Sequence, residues 1–261
     1  MPEGDTIRWH ANRIRPVLEG QVPQEVRTHG RFARDRWSER LTGHRVRSVD
    51  THGKHLFLRF EHDLTLHSHL GMVGSWGVYR PGRRWSRSPR RAWVVLRVGD
   101  VEVVEFDGSF DGSTLELLTD SRARFDQRLG SLGPDVLADE FDASEFLRRL
   151  RGDDPTRPIG DALLDQRTVA GIGNMWKAEG CWEAQIDPWR SAASVSDAEV
   201  LEIVKRVRPR MDCSAREGPS AIQKRVYGRQ GQPCPRCGTR IRSGGQWEDN
   251  RTTPWCPGCQ R

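Results

Sequence analysis

The first residues of the chain place a reactive amine next to a carboxyl group. Methionine before proline is normally removed, which would leave Pro2 with a free secondary amine. A free α-amino group titrates near pH 8, so roughly a tenth of it is neutral and nucleophilic at pH 7. Attack on a sugar C1′ would give a cationic iminium that acidifies the adjacent C2′ proton, and Glu3 could donate or relay protons. The alternative is an ordinary chain start with no chemical role.

Four of the six cysteines have the spacing of a metal site. They read Cys234-x2-Cys237-x18-Cys256-x2-Cys259, which lies within the range of four-thiolate zinc sites. All eight histidines lie between His10 and His69, so no nearby imidazole competes as a ligand. Disulfides are the alternative, which a basic chain without a secretion signal disfavours. Because four protein ligands leave no open position, the spacing predicts one structural zinc ion per chain.

Three other positions have residue types that could hold phosphate. Lys54, one of four lysines against 38 arginines, stands in a predicted hairpin turn that would present its point charge outward. Residues 158–184 predict two helices around a Gly-Ile-Gly turn, with Asn174 capping the second helix and its first amides free for a phosphate. Arg251 precedes the second cysteine pair and could grip a phosphate bidentately. The alternatives are a solvated lysine, an ordinary helical hairpin and a surface arginine.

The charge of the chain is unevenly distributed. The net charge is +6, but residues 131–204 carry −8 and residues 205–261 carry +9. Residues 80–91 contain six arginines and no acidic residue. Segregated positive charge indicates a phosphate-backbone partner, with a solvated basic face as the alternative.

The elements that must position these residues follow from hydrophobic periodicity. Residues 5–19 predict a helix with Asp5 as N-cap, Gly20 as the stop and a kink or early end at Pro16. One face of this helix carries Ile7, Ala11, Ile14 and Leu18. Short alternating or apolar runs then predict strands that form a β-sandwich at 45–50, 55–60, 64–70, 93–98, 101–106 and 114–118.

The character of the sequence changes after about residue 130. Helical periodicity covers 144–151, 158–168, 174–184 and 196–208, with Ser196 as a helix start. We therefore predict an α+β protein with three parts: a β-sandwich domain with a flanking helix (1–130), a helical domain (131–222) and a zinc finger (223–261).

The sequence also bounds where the protein works. Its longest uninterrupted apolar run is the five residues 92–96, far short of the about 20 that a spanning helix needs. The start Met-Pro-Glu-Gly-Asp has neither a basic nor an apolar signal region. The expectation is a cytoplasmic protein of the bacterial type, associated with the nucleoid and without a membrane partner.

Four motifs occur together in order along the chain. They are PEG at the start, GK in the first hairpin, LLDQ…VAGIGN, and YGRQGQPCPRCG…RTTPWCPGCQ. In these motifs the chain resembles the Fpg/Nei family of bifunctional DNA glycosylases. The resemblance implies a helix–two-turn–helix in the helical domain and a zinc finger with four cysteine ligands. It also implies that Pro2 is the Schiff-base nucleophile, Glu3 the general acid and Lys54 a phosphate contact. Asn174 would belong to the DNA clamp, and Arg251 to the elimination steps.

The resemblance also suggests a substrate class. PEG rather than PELPE favours the endonuclease VIII branch, which removes oxidised pyrimidines, whereas His-Leu-Gly-Met72 is similar to the Fpg loop whose methionine fills the space of an extruded base. Thr6 stands where both branches commonly carry glutamate. The implied reaction is base excision followed by β,δ-elimination, catalysed by a monomer on damaged duplex DNA, with single-stranded and bubble DNA left open. The alternatives are a formamidopyrimidine-type glycosylase, a catalytically weakened damage-binding protein and a zinc-ribbon transcription factor.

Overall fold

The computed structural model describes residues 2–108, 114–246 and 250–261. Met1, whose removal the sequence predicts, lies outside the described residues. The chain forms two compact units: the first contains Pro2 and Thr6–Gly130, and the second contains Glu3–Asp5 and Ser131–Arg261. The three-domain division expected from the sequence stays a prediction.

The first unit is built from short strands and a few helices. Its helices are α1 (Gly4–Leu18, which begins in the second unit), α2 (Trp37–Leu41), α3 (Asp120–Phe125) and α4 (Gln127–Gly130). Its strands are β1 (Glu25–Thr28), β2 (Val46–His52), β3 (His55–Phe60), β4 (Leu64–His69), β5 (Ser75–Tyr79), β6 (Ala92–Val98), β7 (Val101–Phe106) and β8 (Thr114–Thr119).

These strands form two antiparallel sheets, in the orders β1-β6-β7-β5 and β2-β3-β4-β8. Alternate residues of the strands point inward and bury a shared apolar core that includes Leu56, Leu58, Leu66, Val94 and Leu96. The predicted β-sandwich is therefore confirmed. No strand was predicted at β1, because four residues are too few to show a period. None was predicted at β5, because Gly77 interrupts its apolar pattern.

Residues 80–91 are the crossover between β5 and β6. Both strands pair antiparallel with β7 from opposite sides, so they run in the same direction and need a connection that returns across the sheet. Trp85 lies on the outer face during this return and packs at 5.8 Å, between ring centroids, from Phe106. The arginine-rich segment is thus an ordered connection that covers the outside of one sheet.

Helix α1 follows the predicted apolar stripe but not the predicted cap. Its inward residues Ile7, Ala11, Ile14 and Leu18 are at most 1% exposed. Pro16 lies inside the helix, which ends two residues later. The prediction of Asp5 as N-cap is wrong: the helix already includes Gly4, and the Asp5 carboxylate accepts a hydrogen bond from the Ser214 hydroxyl.

The second unit contains four α-helices and one β-hairpin among its described residues. They are α5 (Ala143–Arg151), α6 (Ile159–Leu164), α7 (Asn174–Glu183), α8 (Asp197–Glu217), β9 (Arg242–Gln246) and β10 (Arg251–Trp255). The helices bury a core around Trp176, Ile203 and Val207, and a smaller cluster around Trp182 and Val226 packs on the cysteines. Ser196 starts α8 as predicted, through a capping box with Glu199.

None of the helices in the described ranges is long and apolar enough to cross a membrane.

Candidate active site

The Glu3 side chain caps helix α7 across 170 residues of sequence. Its carboxylate accepts hydrogen bonds from the backbone amides of Gly173 (3.0 Å), Met175 (2.8 Å) and Trp176 (3.1 Å). Three amides at the positive end of a helix dipole stabilise negative charge on this carboxylate. Glu3 is only 5% exposed, so the residue after Pro2 is fixed to a rigid element.

This arrangement corrects two predictions for the Gly-Ile-Gly turn. The amides at the start of α7, expected to be free for a phosphate, are hydrogen-bonded to Glu3. Asn174 is not the N-cap: Gly173 occupies that position and Asn174 is the first helical residue. The reason is that a carboxylate from the chain start reaches the amides that a local cap would have satisfied.

Glycines allow this close approach. A Cβ at Gly173 would lie 2.3 Å from the Glu3 carboxyl carbon. A Cβ at Gly4 would lie 2.9 Å from Gly171 Cα, and the Gly4 amide donates to the Gly171 carbonyl at 2.9 Å. The glycines of the two sequence motifs are therefore needed to fit the chain start against the turn before α7.

We expect Gly173→Ala to destabilise the protein by about 1–3 kcal/mol, because the new methyl group must displace the Glu3 carboxylate. Gly130→Ala is the matched control, since a Cβ there meets nothing within 4 Å. Denaturant unfolding measures both variants. In a Glu3→Ala background the Gly173→Ala cost should disappear. An undiminished cost in that background would show that the clash is not with Glu3.

Asn174 and the hairpin that carries Arg251 are joined by a direct hydrogen bond. Asn174 Nδ2 donates to the Thr252 carbonyl at 2.8 Å, one residue after Arg251 at the start of β10. Lys177 Nζ donates to Thr253 Oγ1 (2.5 Å) and to Gln246 Oε1 (3.1 Å). Arg251 is half-buried at the first position of its strand. The second unit therefore gathers Glu3, Asn174 and Arg251 around the N-terminal half of α7.

Lys177 is the buried cation behind this cluster. Its side chain is fully buried, and burial lowers the pKa of the amine from 10.5 to about 8. The nearby Arg251 lowers this pKa further, whereas Asp161 and Glu3 oppose the shift. Lys177 was not predicted from the sequence. Helical periodicity places it on the buried face of α7, but it does not distinguish a functional position from an ordinary core position.

Lys54 lies in the predicted hairpin turn but not in the predicted environment. The turn joins β2 to β3 with His52 opposite His55, and Gly53 has a φ of +55°. Lys54 is only 9% exposed, so the prediction that the turn presents it outward is wrong, as is the alternative of a solvated lysine. The turn therefore carries a buried lysine rather than a solvated one.

A histidine cluster lies beside Lys54 on the same sheet. His55 Nδ1 and His67 Nε2 are 2.9 Å apart, and the His55 and His69 rings are 5.0 Å apart between centroids. Burial and the neighbouring histidines lower the pKa of His55 to about 2. Burial likewise lowers the pKa of His67 to about 4, against the opposing effect of Glu116. Both rings are neutral at pH 7. The spacing of His67 and His69, two residues apart in one strand, is the signal that could have revealed them.

Met72 is presented to solvent by a tight turn between β4 and β5. Its side chain is 49% exposed, which marks it as an exposed large hydrophobic residue of the described chain. Gly71 in the same turn has a φ of +54°. An apolar side chain on a turn of this kind is available for insertion into a partner.

The four motif cysteines converge in the second unit. Their Sγ atoms all lie within 4.8 Å of one another, with Cys234–Cys259 at 3.8 Å and Cys237–Cys256 at 3.4 Å. Four sulfurs around a zinc ion at about 2.3 Å would be separated by about 3.8 Å. These distances exclude disulfides, and Trp182 Nε1 donates to Cys234 Sγ at 3.3 Å. The cluster fits a closed metal site.

Comparisons with known proteins agree with the folds of both units. Residues 1–122 match the family model described as the formamidopyrimidine-DNA glycosylase N-terminal domain, and residues 132–225 match its H2TH domain. The chain belongs to the Fpg/Nei family. "Probable endonuclease 8 2" of Streptomyces coelicolor is 40% identical and aligns over all of this chain and 94% of its own. "DNA-(apurinic or apyrimidinic site) lyase Nei2" of Mycolicibacterium smegmatis is 34% identical over 100% and 99%.

A solved structure of the family has the same fold. The Fpg of Lactococcus lactis, in complex with a DNA that contains N7-benzyl-Fapy-dG, superposes with a TM-score of 0.84 at 23% identity over the full length of both chains. The two family models and the 40% identical relative confirm the Fpg/Nei assignment made from the four motifs. The roles of Pro2, Glu3, Lys54, Asn174, Met72 and Arg251 stay predictions.

Proposed function

We propose that this protein is a base-excision-repair DNA glycosylase and AP lyase that uses the amine of Pro2 as its nucleophile. The observation that carries the proposal is the capture of Glu3 by three amides of α7, which fixes the residue covalently next to that amine. A chain start held in this way serves chemistry better than a free terminus, because the reacting groups need little further ordering. Membership of the Fpg/Nei family supports the same reaction.

In the proposed reaction, the Pro2 nitrogen attacks C1′ and the bond from C1′ to the damaged base breaks. The base leaves with the electron pair and takes a proton from water. Glu3 enters as a carboxylate, because its three amide donors stabilise the charged form. It accepts the proton that the Pro2 nitrogen loses, and returns it to O4′ as the sugar ring opens to the iminium.

The iminium then permits strand cleavage without a further cofactor. Loss of the C2′ proton expels the 3′ phosphate by β-elimination, and a second elimination expels the 5′ phosphate. Water hydrolyses the remaining iminium and releases Pro2. The products are a nicked one-nucleotide gap and a free sugar fragment.

We propose that Lys54, Asn174 and Arg251 hold phosphates of the substrate and that Met72 fills the space of the extruded base. The support is their chemistry: a buried lysine, an amide and a half-buried arginine on ordered elements, and an exposed thioether on a tight turn. Phosphate contacts position the duplex, whereas Met72 replaces the base stacking that is lost when the damaged base is extruded.

Oxidised pyrimidines are the proposed substrates. The PEG motif favours this class, and so does the 40% identity to a protein named probable endonuclease 8 2. Formamidopyrimidine lesions are the second candidate, because the Met72 loop resembles that of Fpg. A damage-binding protein without catalysis is disfavoured by the capture of Glu3, which binding alone does not require. A transcription factor does not account for the match over residues 1–122.

We propose that Cys234, Cys237, Cys256 and Cys259 bind one zinc ion. The convergence of their sulfurs within 4.8 Å supports a tetrahedral site with no open position. Bound there, zinc would stabilise the fold of the finger and take no part in the reaction. The hairpin of β9 and β10, which carries Arg251, leads directly into the second cysteine pair.

We further propose that the protein acts as a monomer, in the cytoplasm with the chromosome. Its DNA substrate supports that location. Sedimentation at micromolar concentration, with and without lesion DNA, tests the monomer.

The function is tested on oligonucleotides that each carry one lesion, either an oxidised pyrimidine, 8-oxoguanine, a formamidopyrimidine or an abasic site. We expect strand cleavage at oxidised pyrimidines and at abasic sites, with a covalent complex when borohydride is added. A protein that binds these DNAs but neither cleaves nor becomes trapped would be the damage-binding alternative. Faster excision of formamidopyrimidine than of pyrimidine lesions would move the substrate to the second candidate.

Arg251→Ala should lower cleavage ten- to hundred-fold, because it removes a charge-assisted contact of about 1.5–3 kcal/mol. Arg251→Lys should restore only part of the cleavage rate, since a point charge cannot reproduce the bidentate geometry of the guanidinium group. Arg242→Ala, on the neighbouring strand, is the matched control. The measurement is single-turnover cleavage at a lesion and at a pre-formed abasic site, at equal zinc content. An Arg251→Ala protein that equals the parent on both substrates would make Arg251 a bystander.

A further inference from the structure

The turn that presents Met72 is tightly closed on itself. The Gly74 amide donates to the Leu70 carbonyl at 2.8 Å, and a Cβ at Gly74 would lie 2.6 Å from that oxygen. Just outside the turn, Trp76 Nε1 donates to Ser68 Oγ at 3.2 Å and joins the two flanking strands. One carbonyl of the turn, that of Val73, is instead bound by a side chain from elsewhere in the chain.

That side chain belongs to Arg87, in the crossover between β5 and β6 that covers the outer face of their sheet. Arg87 Nη1 donates both to the Val73 carbonyl and to Asp107 Oδ2. Its side chain is 26% exposed, and that of Asp107 is 8% exposed. A single guanidinium nitrogen thus connects the turn that presents Met72 to the buried Asp107 carboxylate, directly after β7. The arginine-rich segment otherwise has no role in the proposed reaction.

Asp107 is itself firmly placed. Arg91 Nε and Nη2 donate to its two carboxylate oxygens at 2.8 and 2.7 Å, and the Asp107 amide donates to the Arg91 carbonyl at 2.9 Å. The backbone of Asp107 has a φ of +61°, in the left-handed region where aspartate and asparagine are enriched among the residues other than glycine. The carboxylate is therefore an anchor rather than a mobile surface group.

A second carboxyl group nearby does not compete for Arg87. Glu105 is fully buried, and burial raises its pKa well above the usual value, with the charge of Asp107 adding to the shift. Neither of its oxygens has a hydrogen-bond partner among the described residues. Burial thus favours the neutral form of Glu105, and Asp107 is the carboxylate that Arg87 contacts, together with Arg91.

We propose that Arg87 is a positioning residue for Met72, which it serves by tying the Val73 carbonyl to the Asp107 anchor. The inference rests on the proposed function, because it concerns how Met72 enters duplex DNA. Arg87 acts through the turn and does not touch the reacting atoms. A side chain that inserts between stacked DNA bases needs a rigid support. A loosened turn therefore slows extrusion of the damaged nucleotide and leaves the chemistry at C1′ intact.

The test compares one oxidised pyrimidine in two settings, a fully paired duplex and an unpaired bubble, under single-turnover conditions. Arg87→Ala should excise the paired lesion about ten-fold more slowly and the bubble lesion within two-fold of the parent. Met72→Ala should show the same pattern. If Arg87 acts through Met72, Arg87→Ala should cause no further loss in the Met72→Ala background. Arg40→Ala, an exposed arginine of the same unit, is the control for loss of charge.

Each outcome separates the inference from the function on which it rests. Equal slowing on paired and bubble DNA, or an undiminished ten-fold loss in the Met72→Ala background, would overturn the positioning role. A parent protein that cleaves neither substrate would refute the proposed function, and the inference with it. If Arg87→Ala fails to fold, Arg87→Lys gives the same comparison with the cation kept, and an intermediate loss confined to the paired lesion is expected.

Discussion

A protein that retains Met1 should form no covalent complex with abasic DNA and should not cleave lesion DNA. Retention converts the secondary amine of Pro2 into an amide, whose nitrogen is not nucleophilic, so no iminium can form. DNA affinity should stay within a few-fold of the parent, because phosphate contacts supply most of the binding free energy. The measurement is borohydride trapping on a protein whose intact mass shows the extra methionine.

Pro2→Gly complements this experiment without lengthening the chain. It replaces the secondary amine by a primary one on a more flexible residue, and we expect the trapped complex to be lost. A Glu3→Gln protein separates the two residues of the pair, since it keeps the amine but weakens the proton acceptor. Normal cleavage by a protein shown to keep Met1 would exclude Pro2 as the nucleophile.

Cys256→Ser should remove about one zinc ion per chain and unfold the finger. The Cys256 thiolate is one of four converging sulfurs, and binding of zinc by such a site contributes folding free energy of the order of 10 kcal/mol. DNA binding should fall with the finger, because Arg251 lies on the hairpin that leads into the cluster. Zinc content and thermal unfolding are measured on the same preparations.

Cys213→Ser is the matched control for the loss of a thiol. Cys213 lies outside the four-cysteine cluster, in α8, and its replacement should leave zinc content and DNA binding unchanged. A Cys256→Ser or chelator-treated protein that is free of metal and yet fully active would contradict the structural role of zinc.

The local sequence pattern was sufficient to predict the elements that bury one regular face. The stripe of Ile7, Ala11, Ile14 and Leu18 predicted the buried side of α1, because a 3.6-residue period has one interpretation over four turns. Ser196 with Glu199 predicted the start of α8 through a cap whose two members are local. The cysteine spacing likewise predicted the converging sulfurs, since each Cys-x2-Cys pair is set by its own turn.

The features that the sequence did not predict depend on contacts between distant residues. Asn174 satisfied every local rule for an N-cap, but Glu3 takes that role from 170 residues away. Lys54 stood in a turn, where lysine is usually solvated, yet it is only 9% exposed. Arg87 resembled its exposed neighbours until the crossover placed it between Val73 and Asp107. Such contacts follow from topology and not from period or composition.

In the proposed reaction the N-terminal amine forms the covalent bond to the sugar. Borohydride trapping of the parent protein on abasic-site DNA, followed by proteolysis and mass spectrometry of the DNA-linked peptide, tests it directly. Three amines are compared: Pro2, the buried Lys54, and the buried Lys177, whose pKa is lowered to about 8. We expect the sugar remnant to be attached to Pro2 in the N-terminal peptide. A remnant on Lys54 or Lys177, with an unmodified Pro2, would contradict it.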